Sequence, residues 1–249
     1  MTLLTTQNAK TIKGEKKGFN TGIVYLAPFT NGGMANLCPM AEQAQCNKAC
    51  LYTAGRGAFD NVKAGRIRKA VYFQTDYNGF MNELAWDINR HVNKSRKAGS
   101  TPLIRLNGTS DIIWERKGFT LDEKHAKRIN KPAGYYENMM ALFPDVQFYD
   151  YTKIAGRFNG KLPANYDLTF SYSGVEGYQK QVQHAMKKGA RIAVVFRDRE
   201  KIPTEFMGME CVDGDDTDIR HIEPQGVVVA LYAKGQAVKD KSGFVVDIA

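Results

Sequence analysis

No apolar run in the sequence approaches the roughly 20 residues needed to cross a bilayer, and residues 1–7 are too short and too polar for a secretion signal. The expected location is the cytoplasm, with no membrane partner. Cysteine is scarce, at four residues, which excludes a disulfide-rich scaffold. In a reducing compartment, clustered thiols point instead to metal ligands or catalytic groups. Gly-x-Gly-x-x-Gly, P-loop and Gly-x-Ser-x-Gly elements are missing, so nucleotide fingerprints and serine-nucleophile chemistry have no support. The four histidines, His91, His125, His184 and His221, show no paired metal spacing. No Cys-x-x-Cys knuckle, internal repeat or composition break occurs, and the 249 residues read as a single domain.

Positive charge is in excess. The formal net charge is +9 and the sequence pI is near 9.3, which favours nucleic acid or another anionic partner. The basic residues are dispersed, and none form the aromatic-interleaved motif of an RNA-recognition element. With 43% hydrophobic residues, the chain can bury a sizeable core.

Residues 1–18 read as a polar, lysine-bearing N-terminal arm. Residues 23–27 form the first convincing strand, closed by Pro28. Residues 78–97 give the clearest helix, with Met81, Leu84, Ala85, Ile88 and Val92 on one stripe and Gly99 as its stop. Strands are expected at 101–106, 146–151, 166–171, 191–196 and 226–231, with helices near 133–143 and over 178–189. The tail ending at 244–246 reads as a hairpin. Strands alternating with helices argue for parallel βαβ units. The expected fold is therefore α/β, a partial (β/α) barrel or an open doubly wound sheet, with its site along one strand edge.

The chain is organised around residues 31–57. Cys38, Cys46 and Cys50 fall within thirteen residues of one another, in a loop that begins Asn31-Gly32-Gly33 and ends Gly55-Arg56-Gly57. Cys46 and Cys50, four apart, would share one face of a helix. Structural zinc sites use four ligands, often in paired knuckles, and here Cys211 or His221 would have to supply the fourth. Three clustered thiolates fit a [4Fe-4S] cluster better: they hold three irons and leave the fourth open to S-adenosylmethionine, or closed by Cys211.

Other polar residues follow the strands. Asn107, Ser110 and Asp111 can bind a polar cofactor group or simply form an Asx-type turn. Lys153 can hold a carboxylate or phosphate, whereas Arg157 reads as solvated. Ser171 and Ser173 sit where a barrel places ligand-facing hydroxyls. Arg197 follows the most apolar strand, where charge is costly unless paired; Asp198 and Glu200 are its expected partners. Asp213, Asp215, Asp216 and Asp218 have the composition of a magnesium nuclease site, against which stands an exposed acidic turn paired with Arg220 or nearby lysines.

Several blocks together resemble the bacteriophage gene product 88 family: Cys38-Pro39, Cys46 with 50–57, 105–111, 148–153, 168–171, 212–215, 233–235 and 242–245. They cover residues 20 to 246 in order. The resemblance implies a phage protein working in the host cytoplasm. The cysteine loop after a first strand also resembles that of radical-SAM enzymes, whose usual spacing is three then two residues rather than seven then three. The leading expectation is thus an iron–sulfur protein ligated by Cys38, Cys46 and Cys50, with radical-SAM-like catalysis as its enzymatic version. A metal-stabilised nucleic-acid-binding accessory protein and a carboxylate nuclease are the alternatives.

Overall fold

The computed structural model describes residues 1–7, 9–28, 35–47, 49, 50, 52 and 55–248, without the side chains of Ala9 and Lys10. The glycine-rich start of the cysteine loop, residues 31–34, lies outside the described residues, as do Leu51, Thr53 and Ala54. The protein is mixed α/β with mostly parallel strands. It divides into two compact units, Met1–Leu37 with Gly65–Asp150 and Leu162–Asp167, and Cys38–Ala64 with Tyr151–Lys161 and Leu168–Ala249.

In the first unit, β1 (Leu4–Thr5), β2 (Phe19–Val24), β3 (Thr101–Arg105) and the part of β6 (Gln147–Thr152) up to Asp150 lie side by side in that order. Strands β2 and β3 are parallel, with Gly22 opposite Ile104. The short β1 runs antiparallel at the edge. The N-terminus is no arm. Leu3 is fully buried, its N–H donates to Asp87 Oδ2 at 2.6 Å, and Lys69 Nζ donates to its carbonyl at 2.8 Å. A helix, α1 (Ala9–Glu15), follows β1.

The next helix, α2 (Asp60–Thr75), begins in the second unit and ends in the first. It leads into α3 (Tyr77–Lys97), whose Asp76 cap accepts from Gly79 N at 3.0 Å. The stripe Phe80, Met81, Leu84, Ala85, Ile88 and Val92 is buried as its spacing predicts. Residues 133–143 are not one helix. A strand, β5 (Gly134–Tyr136), pairs with β4 (Phe119–Leu121) across the helix α4 (Glu123–Ile129), and only α5 (Met139–Leu142) is helical. Tyr136 stacks on Phe119, a long-range contact that overrides local propensity.

In the second unit the order is β7 (Tyr166–Ser171, from Leu168 onward), β8 (Ile192–Phe196), β11 (Val228–Tyr232), β10 (Met209–Asp213) and β9 (Glu205–Phe206). The first four are parallel, joined between β7 and β8 by α6 (Gln179–Lys187). Strand β9 turns back antiparallel through Met207 and Gly208, both at positive φ as a tight hairpin requires. The tail is not a hairpin: Val246 bridges parallel to Phe196. Within neither unit does the pairing close, so an open sheet agrees with the structure and the partial barrel is not confirmed. Among the described residues, no helix is long and apolar enough to cross a membrane.

Candidate functional site

Cys38, Cys46 and Cys50 belong to the second unit, in its segment Cys38–Ala64. Residues 39–45 form a compact turn, in which Ala44 N donates to Met40 O at 2.9 Å and Cys46 N to Ala41 O at 3.1 Å. Gln45 takes a positive φ of 49°. Beyond it, Cys46 and Cys50 lie on irregular backbone, not on one helix.

Three hydrogen bonds fasten this turn down. Gln43 Nε2 donates to Gly177 O at 2.9 Å, Ser173 Oγ to Ala44 O at 2.8 Å, and Ser242 Oγ to Gln45 O at 3.3 Å. Ala49 packs with Ala233, Ala237 and Val245, against Val195 and Phe244. Ser173 lies just past the end of β7 and Ala233 just past the end of β11, so the loop sits on the carboxyl edge of the parallel strands. A Cβ on Gly174 would stand 2.8 Å from Gly243 O, so the C-terminal tail passes this edge only because residue 174 is glycine.

Cys46 is buried, with Sγ 3.7 Å from Ala41 O. Cys50 Sγ accepts the N–H of Tyr52 at 3.4 Å, a contact that favours a thiolate. Cys38 and Cys50 are half-buried. Among the described residues, no three His, Cys, Asp or Glu side chains stand together as a metal-holding group. The donors thus suit a thiolate-bound metal by chemistry, while their present spacing does not gather them.

Cys211 lies elsewhere. It pairs with Val228, at the amino end of β11, about 13 Å along the strand from Tyr232 at the carboxyl end. Burial, with Glu205 beside it, pushes its thiol pKa up.

Lys153 and Ser171 are brought together. Lys153 Nζ donates to Ser171 Oγ at 3.1 Å and to the carbonyls of Ser171 and Tyr172 at 3.2 Å, between the rings of Tyr178 and Phe244. Arg157 is buried rather than solvated. Arg197 also differs from expectation. Its partner is Asp247, bound through Nε and Nη2, and it donates at 2.6 Å to the carbonyls of Val238 and Asp240. Asp198 instead accepts from Glu200 N at 3.0 Å. Arg197 therefore clamps the tail, and Arg197→Ala should let trypsin cut at Lys239 and Lys241 sooner than in the parent. An unchanged digestion rate would contradict the clamp.

The acidic turn is occupied by its own contacts. Asp213 Oδ1 accepts from Asp215 N at 2.7 Å, and Asp215 accepts from Tyr232 N at 3.0 Å and pairs with Lys234. Asp213 faces Arg199 at 3.8 Å, and Asp218 accepts from Tyr151 at 3.3 Å. Of the expected cations, Lys234 pairs with Asp215 and Arg220 lies near Asp218 and donates to Gly214 O at 2.8 Å; Arg199 was not expected, and Asp218 is buried rather than exposed.

Asn107, Ser110 and Asp111 belong to the first unit, in the turn after β3. Asn107 Oδ1 accepts from Ser110 Oγ at 2.9 Å, Ile112 N at 3.0 Å and Trp114 Nε1 at 2.9 Å, while Nδ2 donates to Ile112 O at 2.9 Å. That is an Asx-centred knot. A Cβ on Gly108 would lie 2.6 Å from Val24 O and from the Tyr25 ring. Asp111 is buried, with its N–H on Leu37 O at 2.8 Å.

Sequence reasoning missed Asp150, which organises this knot, and the burial of Arg191 and of Arg220, the latter expected only as a partner of an exposed acidic turn. Arg191 donates to Thr169 Oγ1 at 3.0 Å and Pro224 O at 3.1 Å; Arg220 donates to Glu223 at 2.6 Å and Gly214 O at 2.8 Å. For Asp150 and Arg191 the available signal was a charged residue inside or directly before a strand.

These features define a mixed α/β protein with a three-cysteine loop on the carboxyl edge of parallel strands. The profile of the gene product 88 family matches residues 2–248, and the chain belongs to that family. No curated protein and no solved structure matches it significantly.

Proposed function

We propose that the protein is an iron–sulfur protein whose loop ligates a [4Fe-4S] cluster through Cys38, Cys46 and Cys50. One observation carries the reading. All three thiols lie on a single short loop fastened over the carboxyl ends of β7, β8 and β11, the edge where parallel sheets present their sites. Sulfur donors suit such a cluster. The amide of Tyr52 already serves Cys50 as a thiolate would need. Cys46 must leave Ala41 O to ligate, so loading would draw the three thiols together. Cys211, at the opposite end of β11, is left out, and the remaining iron is served by a ligand other than cysteine. Bound there, the group supplies one-electron chemistry, and with S-adenosylmethionine on its open iron it would support radical chemistry.

Anaerobically purified protein should be brown, with absorbance near about 400 nm and roughly four irons per chain. Colourless protein carrying one zinc would overturn the reading. Cys211→Ser should keep the full iron content; its loss would show that Cys211 is a ligand after all. If iron is present, binding and reductive cleavage of S-adenosylmethionine separate the enzymatic version from a redox or structural one.

A further inference from the structure

We propose that the exposed face formed by α3 and α4 in the first unit binds nucleic acid, with Arg90, Lys94, Lys97, Lys127, Arg128 and Lys131 on its phosphates around the ring of Trp86. The face is independent of the cysteine loop. Opposite its buried stripe, α3 carries Trp86, Arg90, Lys94 and Lys97 at steps of four, four and three, which places them in one row. Beside that row lies α4. Its His125 reaches Glu83 at 3.4 Å, and its Arg128 guanidinium lies 4.0 Å from the centre of the Trp86 ring. Arg90 approaches the same ring at 6.0 Å. Trp86 thus lies against guanidinium groups of two helices, the basic rows continue past it on both, and α4 carries an open groove whose polar lining is Lys127, Asn130 and Lys131 with one carboxylate, Glu123.

The carboxylates nearby are largely engaged. Asp87 is buried under the N–H groups of Leu3 and Leu4 and faces Arg90 at 3.6 Å. Asp122 accepts from the His125 ring at 2.9 Å, and Asp145 pairs with Arg96 at 2.6 Å. Glu83 faces His125, and Glu123 lies in the first turn of α4. The exposed heads that remain are mainly Arg and Lys, and the whole chain is net positive by nine charges. A polyanion is the complementary partner. Among polyanions nucleic acid fits best, because its bases can extend the planar guanidinium–indole stack, which a carboxylate polymer cannot do.

The chain has two tryptophans, and Trp114 is fully buried. Emission changes caused by a ligand on this face therefore report on Trp86. The full protein is titrated with single- and double-stranded DNA of about 20 nucleotides across a salt series, with polyglutamate as the other polyanion. DNA should quench or shift the Trp86 emission, with affinity falling steeply as salt rises. Lys94→Glu with Lys127→Glu, one site from each helix, should weaken binding about tenfold or more near 0.1 M salt and flatten the salt slope by about two. The charge-matched control, Lys187→Glu with Lys188→Glu on α6, should leave the slope close to the parent's. Unchanged Trp86 emission, equal losses in the two double variants, or polyglutamate bound as tightly as DNA would each overturn the proposal.

Discussion

Asp150→Ala should destabilise the protein by about 4 kcal/mol, the cost of removing one partner from a fully buried charged network. Asp150 lies in β6 with no solvent exposure. Its Oδ1 accepts from Asn107 N at 2.7 Å, and its Oδ2 from Leu106 N at 3.3 Å and Tyr166 OH at 2.8 Å. Arg105 Nε stands 4.0 Å away. Alanine leaves two backbone donors and a phenol without this acceptor and removes the carboxylate beside Arg105. Asp150→Asn has the same shape but only one acceptor oxygen, so it should fall between alanine and the parent. Tyr166→Phe removes the hydrogen bond to Asp150 and should cost about 1 kcal/mol. Urea unfolding followed by circular dichroism gives the ranking. If alanine costs no more than Tyr166→Phe, the carboxylate is not the hub of the knot.

That hub explains why the turn after β3 was only half legible. The sequence Asn107-Gly108-Thr109-Ser110-Asp111 marks a polar turn at a strand end, which is also where parallel sheets place ligand-binding groups. Nothing local separates the two uses. In the structure Asn107 Oδ1 meets three donors of its own turn, one of them from Trp114. The carboxylate that orders the turn comes from a strand some forty residues later. Arg197 illustrates the same limit. The nearest acids in sequence, Asp198 and Glu200, were the natural partners to expect, whereas the actual one is Asp247.

Secondary structure followed the same rule. Helix α3 was legible because its apolar residues repeat on one stripe, and β8 because Ile192 to Phe196 is a continuous apolar run. Helix α2 gave no such signal, since its apolar residues are not gathered on one face and only Ala70 and Phe73 are buried. Strand β1 is two residues long and exists only through its partner β2. Elements that carry their own period can be read from sequence, and those made by a distant partner cannot.

The cysteine loop combines both cases. Its composition singled it out as the candidate thiolate site, while its position comes from contacts with Ser173, Ser242 and Gly177. Cys38→Ser, Cys46→Ser and Cys50→Ser should each strip most of the iron from the protein, because a hydroxyl is a poor, weakly acidic substitute for a thiolate. Fold damage is a separate issue that the location of each residue resolves. Cys46 is buried beside Ala41 O, so its serine variant can also disturb the turn. Cys50 is half-buried and its Sγ accepts from the Tyr52 amide, and a serine oxygen can accept that N–H in its place. Cys50→Ser should therefore lose iron while keeping its circular dichroism spectrum and urea midpoint near the parent's. Iron retained in Cys50→Ser would remove that residue from the ligand set. Iron retained in all three would leave the loop as a fastened turn on the sheet edge without a metal.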